Sequence, residues 1–158
     1  MRAGVRLAGR VLKWGTLLMS GCFVACILVQ IYARLFLETA PSWTEEAARL
    51  FFVLSVGFAA GPALKSDFYV YFDFLYARLS ARGRWLLTLV IDATTVSLFG
   101  LFLFHALRFT AMGLVERSPS LKFPMAIAFL SMVVLGVSVL IFAVDRLRRH
   151  LTAQRPLS

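Results

Sequence analysis

The sequence predicts an all-α integral membrane protein with four transmembrane helices, and three observations carry that prediction. Sixty per cent of the 158 residues are hydrophobic and only 16% are charged, with a mean hydropathy of +0.81. Soluble domains are roughly 45–50% apolar and about 25% charged, so one small core could not hide this much apolar surface. The apolar residues gather in four long runs, and the 17 Lys and Arg residues lie mostly between them. Two cysteines cannot build a disulfide framework. The whole chain, 1–158, reads as a single membrane domain.

The runs are Trp14 to Ala33, Ala47 to Leu64, Trp85 to Leu107 and Pro124 to Val144. At a rise of about 1.5 Å per residue they reach about 27–35 Å, which matches the hydrocarbon thickness of a bilayer. Helices are the spanning form expected, because no barrel-type alternation is present and a helix satisfies its own backbone groups in lipid. The first run follows Arg2, Arg6, Arg10 and Lys13, the pattern of a signal peptide's basic segment. It exceeds the usual 7–15 apolar residues and lacks a small-x-small cleavage site, so a retained helix is expected.

Basic residues outside the runs set the orientation. Arg2, Arg6, Arg10 and Lys13, then Lys65, Arg78, Arg82 and Arg84, then Arg146, Arg148, Arg149 and Arg155 put twelve on one side, against Arg34, Arg108, Arg117 and Lys122 on the other. The richer side is cytoplasmic by the positive-inside rule, which gives an N-in/C-in topology. The net charge of +9 is thereby read as topology and contact with anionic lipid, and no nucleic-acid partner is expected.

The first outer loop reads Pro41-Ser42-Trp43-Thr44-Glu45-Glu46-Ala47-Ala48-Arg49. Ser42 and Glu45 fit a capping box, and acids suit the positive end of a helix. Glu45 and Arg49 are spaced to pair on one face. One reading is a well-capped helix with Trp43 as an interfacial anchor. The other is a charged patch that docks a partner.

The second run ends at Gly61-Pro62. After Lys65 comes a stretch from Phe68 to Leu79 that is too short and too charged to cross. As a helix it puts Phe68, Phe72, Leu75 and Leu79 on one face and Tyr69, Asp73 and Ser80 on a neighbouring sector. An amphipathic interfacial helix over about 68–80 is expected, with a cytoplasmic extension of span two as the alternative.

Asp92 is the only acid well inside a run. A carboxylate there must face protein, water or a cation. A lone carboxylate cannot build a proton relay, so a polar contact to another helix, or to Arg82 or Arg84, is expected in preference to an ion-coupling role. His105 and His150 lie near opposite ends of the bilayer and cannot form a haem pair. Cys22 and Cys26 lack the spacing of a redox dithiol and read as packing residues. Small residues at Ser55, Gly57, Ala59, Ala60 and Gly61, and at Ser131, Gly136 and Ser138, would permit close helix approach. No phosphate loop, zinc spacing or hydrolytic triad appears, so neither an enzyme nor a bound cofactor is expected.

Trp43-Thr44-Glu45-Glu46-Ala47-Ala48-Arg49 resembles the W-x-E-E-x-x-R signature of the small membrane subunit (DctQ type) of tripartite ATP-independent periplasmic (TRAP) transporters. Ser118-Pro119-Ser120-Leu121-Lys122-Phe123-Pro124-Met125 resembles that family's S-P-x-L-x-x-P-M stretch. Lys65 followed by Asp73 resembles its basic residue and valine-aspartate region. The chain departs from the pattern at Tyr69, where the family often has His, and at Tyr71-Phe72. The resemblance implies a bacterial inner-membrane subunit of a sodium-driven secondary transporter that imports a small organic acid, most simply a carboxylate, delivered by a periplasmic binding protein. It implies that the large membrane subunit holds the substrate and sodium sites while the small one is a non-catalytic scaffold. Trp43, Glu45, Glu46, Arg49, Ser118, Pro119 and Pro124 would then belong to the outer docking surface, and Lys65, Tyr69 and Asp73 to a cytoplasmic interface. The competing reading is a stand-alone, proton-coupled exporter working as a homodimer, which would have to use Asp92 because span one carries no acid. A membrane redox protein would need in-membrane histidine pairs or a reactive dithiol.

Overall fold

The computed structural model describes residues 2–37, 41–65 and 78–153. They form four helices: α1 (Arg2–Phe36), α2 (Ser42–Lys65), α3 (Ala81–Met112) and α4 (Ala126–Ala153). All four are long and apolar enough to cross a membrane, and among the described residues there is no strand, only one isolated bridge between Arg117 and Pro124. Most of the proposed interfacial helix over 68–80, including Tyr69 and Asp73, falls outside the described residues, as does the side chain of Lys65.

The helices overrun the apolar runs where nothing in the sequence stops them. α1 starts twelve residues before Trp14, since Arg and Lys are good helix formers and no Pro or cap intervenes. α2 passes through Pro62 to Lys65, one residue past the expected bound at Leu64. A proline near a helix end removes one hydrogen bond without having to end the helix. Ser80, grouped by sequence with the interfacial stretch, is the N-cap of α3, its hydroxyl accepting the Gly83 N–H at 3.3 Å. Hydroxyls inside the helices bond back to carbonyls one turn earlier, at Thr16, Thr95 and Thr110. Each is satisfied without water, as a lipid-facing helix requires.

The helices pack in series. α1 lies on α2, α2 on α4 and α4 on α3, with α1 touching α4 only lightly. The order across the molecule is therefore α1-α2-α4-α3, a row rather than a closed bundle. α4 is the most buried of the four, and α1 and α3 at the two edges are the least.

Small residues set the central contact, as their pattern suggests. A Cβ on Gly57 would stand 2.8 Å from the Ser131 carbonyl oxygen, and one on Gly61 would stand 2.6 Å from that of Ser138. The Ser138 hydroxyl donates to the Gly57 carbonyl at 3.1 Å, a bond between two helices at a nearly fully buried residue. Gly57 and Gly61 are four apart, so both face α4 and bring the backbones together. Gly136, on another face of α4, admits Phe102 and Leu103 of α3 at 3.3 Å. Large side chains hold the edges: Phe23 of α1 packs on Phe52 of α2 at 5.5 Å, and Phe109 of α3 on Phe129 of α4 at 4.4 Å.

Candidate functional site

Two polar constructions stand at opposite ends of the helices. The first joins the start of α2 to the loop between α3 and α4. Where the sequence suggests a Ser42–Glu45 capping box, the helix begins at Ser42 itself. Its first turn is closed by Thr44, which is fully buried and donates both its N–H (3.2 Å) and its hydroxyl (2.7 Å) to the Pro41 carbonyl. Glu45 is exposed and forms no ion pair with Arg49 among the described residues. The expected i,i+4 pair is therefore not made, which leaves an acid and a base both facing outward.

Glu46 turns the other way. Its Oε1 accepts the Ser118 hydroxyl, and its Oε2 accepts the backbone N–H groups of Ser120 (3.1 Å) and Leu121 (2.9 Å). The loop is shaped to present these donors. Ser118 N–H donates to the Phe123 carbonyl at 2.9 Å, and Met125 N–H to the Glu116 carbonyl at 2.9 Å, so the two arms run side by side. Lys122 takes a left-handed backbone (φ 59°), and its carbonyl accepts from Arg117 Nη1 at 3.2 Å. This conformation is uncommon for a residue with a Cβ. It reverses the chain while Ser120 and Leu121 aim their N–H groups at one carboxylate. Pro119 has no N–H to offer and is exposed at the tip. Pro124 pairs with Arg117 in the bridge, and its carbonyl accepts the Ile127 N–H at 3.1 Å as α4 begins.

The sequence-derived docking set thus divides. Glu46, Ser118 and Pro124 are turned inward and hold the loop on α2. Trp43, Glu45, Arg49 and Pro119 are exposed around it. Thr44 was missed by sequence reasoning, although a threonine three residues after a proline at a helix start is a recognisable local hydrogen-bonding pattern.

The second construction centres on Asp92, which is 3% exposed. Its Oδ1 meets Arg146 Nε at 3.1 Å and its Oδ2 meets His150 Nδ1 at 2.6 Å. Both partners are on α4, so the contact is to another helix. Arg82 and Arg84 are not its partners: both are exposed, and Arg84 Nε donates to the Leu79 carbonyl at 2.9 Å. Read from sequence, the only cations named for Asp92 are Arg82 and Arg84, because the fourth apolar run ends at Val144 and leaves Arg146 and His150 in a tail. α4 instead continues to Ala153. Arg146 and His150 are four apart and so share the face turned to Asp92. That spacing, with an antiparallel neighbour carrying one buried acid, was the available signal. Asp145 is engaged separately with Arg149 on the same helix.

Among the described residues no group of His, Cys, Asp and Glu could hold a metal ion. Cys22 and Cys26 are free, half-buried thiols. The family model described as "Tripartite ATP-independent periplasmic transporters, DctQ component" matches residues 23–153. That range includes both the Glu46 and the Asp92 constructions. No curated protein matches the chain.

Proposed function

We propose a role that starts from one premise: the chain belongs to the DctQ family of tripartite ATP-independent periplasmic transporters and is a small membrane subunit of that type. In our reading it is a non-catalytic scaffold of a sodium-gradient-driven importer of a small organic acid. It packs against the large transport subunit and helps dock a periplasmic solute-binding protein. Both termini are cytoplasmic, which makes the Glu46 end the outer one and puts Lys65, Tyr69 and Asp73 on the cytoplasmic side, where a partner would meet them.

The observation that carries this reading is the arrangement of the helices in a row. Transporters that bind solute at the midplane bring paired repeats and broken helices to enclose it. Here the described helices are continuous, α3 is attached through α4, and long faces of α1 and α3 carry exposed Leu, Val and Phe side chains. Such faces suit lipid and a larger membrane protein. The stand-alone exporter reading would require Asp92 to exchange protons or solute, yet both its oxygens are engaged by side chains of α4, Arg146 and His150.

The test follows from the division of the outer residues. Reversing Glu46 would confound docking with loop collapse, so the informative changes are Glu45→Lys and Arg49→Glu with Glu46 intact. In vesicles containing the assembled complex and its binding protein, each is expected to lower uptake without reducing co-purification of the two membrane subunits. Unchanged uptake at limiting binding-protein concentration would remove the docking role.

A further inference from the structure

A further feature lies at the same end of the helices as Glu46, where α3 meets α4. Phe102, His105, Arg108, Phe109 and Met112 of α3 line a groove with Met132 of α4. Phe109 also packs on Phe129 of α4, with ring centroids 4.4 Å apart and the planes tilted by 45°. The walls are apolar or aromatic and the cation is at one level. Arg108 is exposed, its guanidinium lies over the Phe104 ring at 5.6 Å from the centroid, and no carboxylate pairs with it among the described residues. His105, one turn deeper, is exposed and packs edge-on against Phe104 at 5.4 Å.

The level of Arg108 is informative. The apolar run of α3 ends at Leu107, so with that run in the hydrocarbon the guanidinium stands at the polar boundary. Phe102 is about 9 Å deeper along the helix. A cation at headgroup height above an apolar channel matches one ligand chemistry, a phospholipid whose phosphate meets the guanidinium while an acyl chain follows the aromatic wall. The Phe104 ring limits the freedom of the Arg108 guanidinium that lies over it, and a guanidinium fork can present two N–H donors to a phosphate.

We propose that this groove binds an anionic phospholipid, with Arg108 as the phosphate ligand and Phe102, Phe109 and Met132 as the acyl-chain contacts. The inference needs the chain to sit in a membrane and is independent of the docking role. His105 lies at the depth of the glycerol esters and can donate a hydrogen bond to one of them. An acidic segment of a protein partner would also complement Arg108, but it would not need the apolar channel below.

The full chain, purified in mild detergent with an equimolar mixture of phosphatidylglycerol and phosphatidylcholine of identical acyl chains, is examined by native mass spectrometry. Phosphatidylglycerol is expected to be retained about fivefold over phosphatidylcholine, the size of one cation's contribution at a membrane surface. Arg108→Gln should abolish that preference, whereas Arg34→Gln, which removes a cation from the same end, should keep it. Met132→Trp, which fills the channel and leaves Arg108 in place, should lower retention of both lipids. Equal retention of the two lipids by the unaltered chain would overturn the proposal. So would equal losses in the Arg108 and Arg34 variants, which would signify diffuse charge, or an Arg108→Gln effect on co-purification of the large subunit with lipid preference unchanged. Helical circular dichroism of each variant separates loss of the site from loss of the fold.

Discussion

Glu46 and Asp92 are both carboxylates that tie distant parts of the chain together, and they do so by different chemistry. Glu46 is held by neutral donors, one hydroxyl and two backbone N–H groups, all from a single loop. Asp92 is held by two basic side chains from the last turns of a neighbouring helix. The neutral set is directional and fixes the shape of a loop, which suits a surface that a soluble partner reads. The basic set compensates a charge where water is scarce and fixes one helix against another. α3 contacts the rest of the molecule through α4, so the Asp92 contact bears on the whole architecture, whereas the Glu46 contact bears on one end.

The two constructions should therefore fail differently. The largest effect is expected at Asp92. Asp92→Ala leaves Arg146 and His150 beside an apolar gap, and with those partners themselves partly exposed the loss should be about 3 kcal/mol, the low end for a broken buried pair. Unfolding of the purified chain in detergent measures it. A loss no larger than that of an exposed salt bridge would mean that the cations find other partners and that α3 is held by packing.

Next comes the contact between the two regions. Gly61→Ala places a methyl 2.6 Å from the Ser138 carbonyl oxygen, and backbone cannot swing aside, so about 2 kcal/mol should be lost by overpacking. Gly100→Ala meets nothing within 4 Å and should be neutral within about 0.5 kcal/mol. The same unfolding measurement separates them, and equal effects would contradict the close approach of α2 to α4.

Glu46→Gln should act locally. The amide has one acceptor oxygen where the carboxylate used two, so amide hydrogen exchange at Ser120 and Leu121 should rise roughly tenfold with little change in global unfolding. Exchange that rises throughout α2 and α4 would show that this end is as architectural as the other. The smallest effect on stability is expected for Glu45→Lys, within about 0.5 kcal/mol, because that side chain is exposed and makes no ion pair among the described residues. Its consequence should appear in uptake.

How far the sequence could be read differs between the two ends for physical reasons. Four spans were legible because apolar run length is a one-dimensional property, and Gly57, Gly61, Ser131 and Ser138 were legible as close-approach positions, though not that the two sets would meet each other. The opposite fates of Glu45 and Glu46 were not legible. Adjacent residues on a helix point about 100° apart, and only the path of a loop some seventy residues later decides which one is captured. The partners of Asp92 were missed because the apolar run ends at Val144 while the helix continues through Arg146 and His150. A hydropathy boundary marks where lipid contact stops, and helices run on past it whenever their residues allow.

The decisive measurement is solute uptake, driven by an inwardly directed sodium gradient, into vesicles containing this chain alone, the large subunit alone, or both, each with the binding protein supplied outside. If the chain is a support whose outer end receives that protein, vesicles with it alone should show no uptake above empty vesicles, and only the pair should transport at full rate. Uptake by the chain alone, or full uptake by the large subunit without it, would contradict the role.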